Sequence, residues 1–202
     1  MWALIEDGSI TKHLSGNRGI TIGDIQYSRN IFSFRWSNEE REAIGIYEVI
    51  QNNAKKKDEA YYINTNQTFT YDADAGTVTA TYGDATAKAH ADRNATDEDG
   101  NDLDPVVVIP GLKTIRIKNI KVQAASILAQ TDWYIVRKAD ANTAVPSAIT
   151  THRAAVRTKC AEMETAITNA SNTAAIETLY THTRQEDGSV TRPLGQLPTL
   201  ED

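Results

Sequence analysis

Hydrophobic and polar positions change rhythm twice along this chain. In the first part, apolar residues come in short alternating runs broken by turn formers. "MWALIEDGSI" reads as two short strands around Glu6-Asp7-Gly8-Ser9. "GITIGDIQYS" alternates again around Gly23-Asp24, with Ile20, Ile22 and Ile25 expected to face inward. In "RWSNEEREAIGIYEVI", Ser37 followed by Glu40 has capping-box spacing: hydroxyl and carboxylate satisfy backbone donors at a helix start. Gly45 supplies the stop, because glycine enters the left-handed conformation without steric cost. The pattern predicts a helix over 38–44 and a strand in "IYEVI". A further strand pair is expected in "AYYINTNQTFTY" around Asn64-Thr65-Asn66.

Residues 73–111 are rich in Ala, Thr, Gly and Asp and poor in large apolar side chains. That is the composition of a linker or extended region, with one candidate strand at Val78–Tyr82. The rhythm then turns helical. Leu112, Ile115, Ile120, Ala124, Ile127 and Leu128 mostly recur at three- and four-residue steps. Ile117 and Val122 fall off that stripe, so this helix is expected to be covered on more than one side. It ends at Gln130. Pro146 suits the start of a second helix. Ile149, Val156 and Met163 are spaced by seven there, with Cys160 and Ile167 at helical steps. Arg153, Arg157, Lys159 and Glu162 are expected elsewhere on that helix. A short third helix, about 173–180, has a candidate cap in Asn172. Past His182, with Pro193 and Pro198, the chain reads as an extended tail.

The expected fold class is therefore α+β: a small β-rich N-terminal module over 1–72 with one short helix, then the 73–111 linker. A helical hairpin region over 112–181 and a tail over 182–202 complete it. Composition fits a soluble globular chain, with 24% charged and 40% apolar residues. A net charge of −6 argues against a nucleic-acid partner, since phosphate binding needs a concentrated basic face. The one basic run, Lys55-Lys56-Lys57, is followed at once by Asp58 and Glu59 and reads as a solvated loop. The single cysteine, Cys160, excludes an intrachain disulfide. The N-terminal stretch lacks a signal-peptide pattern, and no apolar run is long enough to span a bilayer. Synthesis in the cytoplasm, without a membrane partner, is expected.

Candidate chemistry narrows this little. "DEDGNDLD" sets Asp97, Asp99 and Asn101 at alternate positions, as calcium loops do. Its Gly100 is fourth rather than sixth, and Val108 stands where the bidentate Glu belongs. A solvated acidic turn is the expectation. His13, His90, His152 and His182 have no ligand spacing, and His152 is expected to be partly buried. Cys160 falls on the apolar stripe and reads as a small buried hydrophobe. No nucleophile elbow, phosphate loop or dinucleotide fingerprint occurs. The expectation is a protein that is no enzyme and uses no cofactor or metal.

Trp133 and Tyr134, in "AQTDWYIVRK", are the candidate interaction anchors. Past the end of one helix and before the next, Trp133 is expected to plug the open end of the hairpin. A contact anchor for another protein and a ligand pocket are the alternatives.

Two stretches carry a resemblance. "ITIGDIQYSRNIFSFRWSNEEREAIGIYEVI" resembles a module of tailed-bacteriophage tail proteins, with its Gln-Tyr pair and its W-S-x-E-E-R…I-G-I-x-E-V run. "ASILAQTDWYIVRKADANTAVPSAITTHRAAVR" is similar to the C-terminal region of tail-fibre and tail-fibre-assembly-like proteins. There a helix ends in T-D-W, followed by a proline and an R-x-x-(V/L)-R helix. Thr131, Asp132, Trp133, Pro146, Arg153 and Arg157 match that pattern, and His152 stands where the family usually has Tyr. Together the stretches cover about a third of the chain. The resemblance implies a structural component of a virion tail (fibre, baseplate or adaptor) that contacts other phage tail proteins and is present as a homo-oligomer or in several symmetric copies. A fibre-assembly chaperone is the alternative it allows, and a glycan-binding module for the host surface is a lesser one.

Overall fold

The computed structural model describes residues 1–200. The chain folds as two compact units, Met1–Thr86 and Ala87–Asp202. Strands fill the first and helices dominate the second, which makes the class α+β.

The first unit is built on a five-stranded sheet. Its strands are β1 (Trp2–Glu6), β2 (Ser9–Leu14), β5 (Ile46–Asn52), β7 (Gln67–Asp72) and β8 (Thr77–Tyr82), in the order β2-β1-β5-β8-β7. Asp7 and Gly8 both take positive φ, 49° and 73°, the geometry of the two-residue hairpin expected between β1 and β2. β5 and β8 pair in parallel, Val49 opposite Val78, and β7 pairs antiparallel with β8. The sheet curls until its two edge strands meet, the His13 and Phe69 rings lying 4.2 Å apart. Inside the curl sit Ala3, Val49, Val78 and Ala80, with Tyr47 and Tyr71 beside them.

Alternate side chains of the same strands point to a second core. Leu4 and Ile46 are fully buried there with Ile31. A short hairpin, β3 (Ile20–Ile22) and β4 (Ile25–Tyr27), covers this face together with a 3-10 turn at Arg29–Phe32 and the helix α1 (Asn38–Glu42). The capping box forms as expected: the Ser37 N–H donates to Glu40 Oε2 at 2.7 Å and the Glu40 N–H to Ser37 Oγ at 3.2 Å. Gly45 follows with φ of 79°. Arg41 is buried and anchors the layer. Its Nε donates to the Ile31 carbonyl at 2.8 Å, and Nη2 to the Ser33 carbonyl at 2.7 Å.

Three expectations for this half are corrected. The candidate strand at 78–82 is no linker element. As β8 it lies between β5 and β7 with Val78 and Ala80 at 0% exposure, so the unit runs to Thr86 and not to 72. The segment around Asn64–Asn66 does not close a strand pair: β6 (Tyr62–Ile63) lies outside the five-stranded sheet, and β7 pairs with β8 instead. Ile20 and Ile22 pack inward, but Ile25 is 58% exposed at the hairpin turn.

In the second unit, Arg93–Asn94 and Val108–Ile109 form a short ribbon beside the acidic turn. The helices are α2 (Leu112–Ala129), α3 (Asp132–Ala141), α4 (Ser147–Asn169) and α5 (Thr173–Tyr180). α4 and α5 follow the predicted spacing, and the Asn172 side chain caps α5 by accepting the Ala175 N–H. On α2, Ile120 and Ala124 are buried and Ile127 and Leu128 pack on the core as expected, but Ile115 is 41% exposed and Ile117, expected off the stripe, packs against the core. The α2–α4 core holds Ile120, Ala124, Val156, Cys160, Met163 and Ile167. α3 was not foreseen: the region between the long helices is itself helical. The tail is corrected as well. Residues 183–191 form a hairpin, and beyond it Leu194, 2% exposed, enters the helical core and donates its N–H to the Leu179 carbonyl at 3.0 Å.

Candidate functional site

The site begins at a helix elbow. α2 stops at Ala129, and Thr131 starts α3 with φ −117° and ψ 5°, which redirects the chain. Thr131 is 2% exposed; its N–H and hydroxyl both donate to the Leu128 carbonyl, at 3.1 and 3.0 Å. Arg153 reaches across from α4 to fasten the turn. Its Nη1 donates to the Leu128 carbonyl and to Thr131 Oγ1, each at 2.7 Å, and pairs with Asp132 Oδ1 at 2.8 Å. Arg153 is 7% exposed, so the arginine expected away from the core is a buried clamp. The chemistry suits the place: a guanidinium reaches several acceptors at once, including a carbonyl at a helix C-terminus.

The elbow directs α3 outward. This ten-residue helix has no buried residue, and Trp133, Ile135 and Val136 are 51%, 43% and 65% exposed. The Trp133 and Tyr134 rings stack with centroids 3.8 Å apart and planes 32° from parallel. Arg137, one turn on, lays its guanidinium carbon 4.7 Å from the Trp133 centroid and 5.5 Å from that of Tyr134. Its Nε is buried against the rings without a hydrogen-bond partner. A half-exposed indole plugs nothing, so the plug expected for Trp133 is corrected: the ring is part of a surface platform. The cause is the unforeseen helix, whose start at Asp132 turns the indole outward.

The other candidates stay apart. His13 packs on Phe69 in the first unit. His152 is buried at 9% exposure, and its Nε2 has no hydrogen-bond partner. Cys160 is buried, with its Sγ 3.5 Å from Glu164 Oε1; burial first, and then this hydrogen bond, push the thiol pKa up. A raised thiol pKa makes a poor nucleophile at neutral pH. The acidic turn uses its own oxygens: Asp97 Oδ1 accepts the N–H groups of Asp99 and Asn101, and these bonds hold its carboxyl below the usual range. Among the described residues no group of three or more His, Cys, Asp or Glu side chains is placed to hold a metal ion. Among them also, no helix is long and apolar enough to cross a membrane.

Sequence reasoning missed the two buried arginines. The signal was present in the motifs themselves, since Thr131, Asp132 and Arg153, distant in sequence, meet at the elbow. Arg41 likewise lies inside the W-S-x-E-E-R run. Compared with protein-family models, curated proteins and solved structures, the chain matches none.

Proposed function

We propose that the chain is a structural component of a bacteriophage tail that works through protein–protein contacts. The tail assignment rests on the resemblance of the two motif stretches. The observation that carries the contact role is α3, a helix with nothing fully buried that presents Trp133 and Val136 to solvent, with Arg137 laid over the indole. Indole, tyrosine and arginine are the side chains that dominate protein interfaces. They supply large rigid area with few rotamers to freeze, and here the Arg153 clamp has already ordered the base of the platform.

Mass spectrometry of purified particles tests the reading. The expected result is the chain in stoichiometric copies with the fibre or baseplate proteins; absence from the particle overturns it. A folded Trp133→Ala, Arg137→Ala double variant should lose incorporation. Wild-type incorporation of that variant would remove α3 from the contact.

A further inference from the structure

In the first unit the chain folds round a concavity as it passes from β2 into β3. Residues 12–20 and Phe32 line it, and its volume is about 240 Å³. Two glycines fix the loop. A Cβ at Gly16, whose φ is +77°, would run into the Trp2 ring, and one at Gly19 would run into the Tyr27 carbonyl oxygen. Leu14, Ile20 and Phe32 pack on the second core of this unit, so the apolar side of the concavity is anchored. The Phe32 and Trp2 ring centroids lie 4.9 Å apart.

The charges around this concavity have one sign. In the β1–β2 register Lys12 stands opposite Leu4 and Leu14 opposite Trp2, so Lys12 projects on the face that carries Phe32. Alternation sends His13 to the other face, its ring on Phe69. Arg18 comes from the loop itself. Residues 12–20 include no acid, and among the described residues neither Lys12 nor Arg18 has an ion-pair partner. The buried Arg41 adds a third cation nearby. It grips the Ile31 and Ser33 carbonyls on either side of Phe32, its guanidinium carbon is 6.0 Å from the Trp2 centroid, and its remaining acceptor, Asn38 Oδ1, is neutral. Backbone donors are free as well: among the described residues no acceptor takes the N–H of Gly16, Asn17 or Arg18. Ser15 Oγ donates to Asn17 Oδ1 at 2.5 Å, which leaves the Asn17 amide N–H groups uncommitted. On a chain of net charge −6, this spot is positive against the average.

We infer that the concavity binds a small organic oxyanion, a phosphate or carboxylate group carried on a sugar-sized polar body. The oxyanion answers the donors. Successive free N–H groups beside a residue in the left-handed conformation make an anion cradle, and ammonium and guanidinium add charge-assisted hydrogen bonds. The volume sets the size: it is more than a bare oxyanion fills and less than the roughly 300 Å³ at which pockets for drug-sized ligands begin. Phe32 gives the body of the ligand an apolar wall. The site lies in the first unit and α3 in the second, so binding here and the tail reading can each fail while the other stands.

Amide proton–nitrogen correlation spectra of the full chain test it, with glucose 6-phosphate, glucuronate and glucose as probes at low ionic strength. The expected result is saturable movement of the amides of residues 15–19 with at least one of the two acids, the tighter naming the oxyanion, and none with glucose. Lys12 and Arg18 are exposed, so Lys12→Gln and Arg18→Gln should leave the fold intact. Each should weaken binding about tenfold, the loss of one charge-assisted bond. No movement with either acid at about 10 mM, tenfold above a 1 mM dissociation constant, overturns the inference. So does an equal response to glucose, or an affinity unchanged in both variants.

Discussion

Arg153 and Asp132, on consecutive helices, form an ion pair at 2.8 Å in which the arginine is nearly sealed from water and the aspartate is half exposed. The asymmetry matters. Removing the aspartate leaves Arg153 its bonds to Leu128 and Thr131, whereas removing the arginine takes all three charge-assisted contacts from the elbow at once and leaves the Leu128 carbonyl and the Thr131 hydroxyl only their local bonds.

Arg153→Leu should therefore cost about 3 kcal/mol in the unfolding of the helical unit. Asp132→Ala should cost under about 1 kcal/mol, because a pair with one solvated partner contributes little. Arg153→Lys should recover only part of the loss, since an ammonium lacks the planar fork. Urea titration followed by helix circular dichroism measures all three. Equal losses for Arg153→Leu and Asp132→Ala would show that the ion pair, not the elbow, carries the stability.

In the first unit the corresponding constraint is steric. Gly45 has φ of +79°, and a Cβ there would come 2.6 Å from the Ile5 carbonyl oxygen. Backbone cannot swing aside, and Ile5 already donates its N–H to the Gly45 carbonyl at 2.7 Å. Gly8 has a similar φ of +73° with open space around it. Gly8→Ala should cost only the left-handed strain, about 1 kcal/mol. Gly45→Ala should cost at least about 2 kcal/mol more, seen as the larger drop in thermal midpoint.

The C-terminal segment yields a packing prediction. Leu194 is sealed into the α2–α4 core from a stretch containing two prolines. Leu194→Ala should destabilise the helical unit by about 2–4 kcal/mol. Val190→Ala, at a position 54% exposed in the same segment, should change stability by less than about 0.5 kcal/mol. Equal, small effects would return the segment to the status of a tail.

These positions mark where the sequence was legible. The α1 capping box, the stripe of α4, most of that of α2 and the Asn172 cap depend on residues within a turn or two of each other, so local spacing was enough to find them. β8 was found as a strand but left in the linker, because its inward residues are Val78 and Ala80, small side chains in a Thr-rich run. Its parallel pairing with β5 is also non-local. α3 escaped because it buries nothing and so carries no stripe. Leu194 is one apolar residue among polar, Gly and Pro neighbours, and no period points to it. At the site, Trp133 and Tyr134 were found as candidate anchors, but their exposure depends on a helix that periodicity cannot reveal. Arg153 was read as a surface charge for a related reason: its partners are a backbone carbonyl and a threonine 25 and 22 residues away.

The last prediction concerns pH. Inside the curled sheet the Tyr47 and Tyr71 hydroxyls share a hydrogen bond at 3.3 Å, with ring centroids 5.1 Å apart. That bond first, then burial and the nearby negative charge of Glu42, push the Tyr47 pKa from 10.0 up to about 12. The fold thus favours the protonated phenol, while the unfolded chain ionises near the ordinary value. The contribution is fully present below pH 10 and is lost as pH rises from 10 to about 12, because only the unfolded state gains by releasing the proton there. Ultraviolet difference titration of the eight tyrosines should resolve a late-ionising component. In Tyr71→Phe that component should move back toward 10, since the largest cause of the shift is gone. A single transition near the ordinary tyrosine value in the folded wild type would show that the pair is open to water and that the sheet does not curl as tightly as His13 on Phe69 implies.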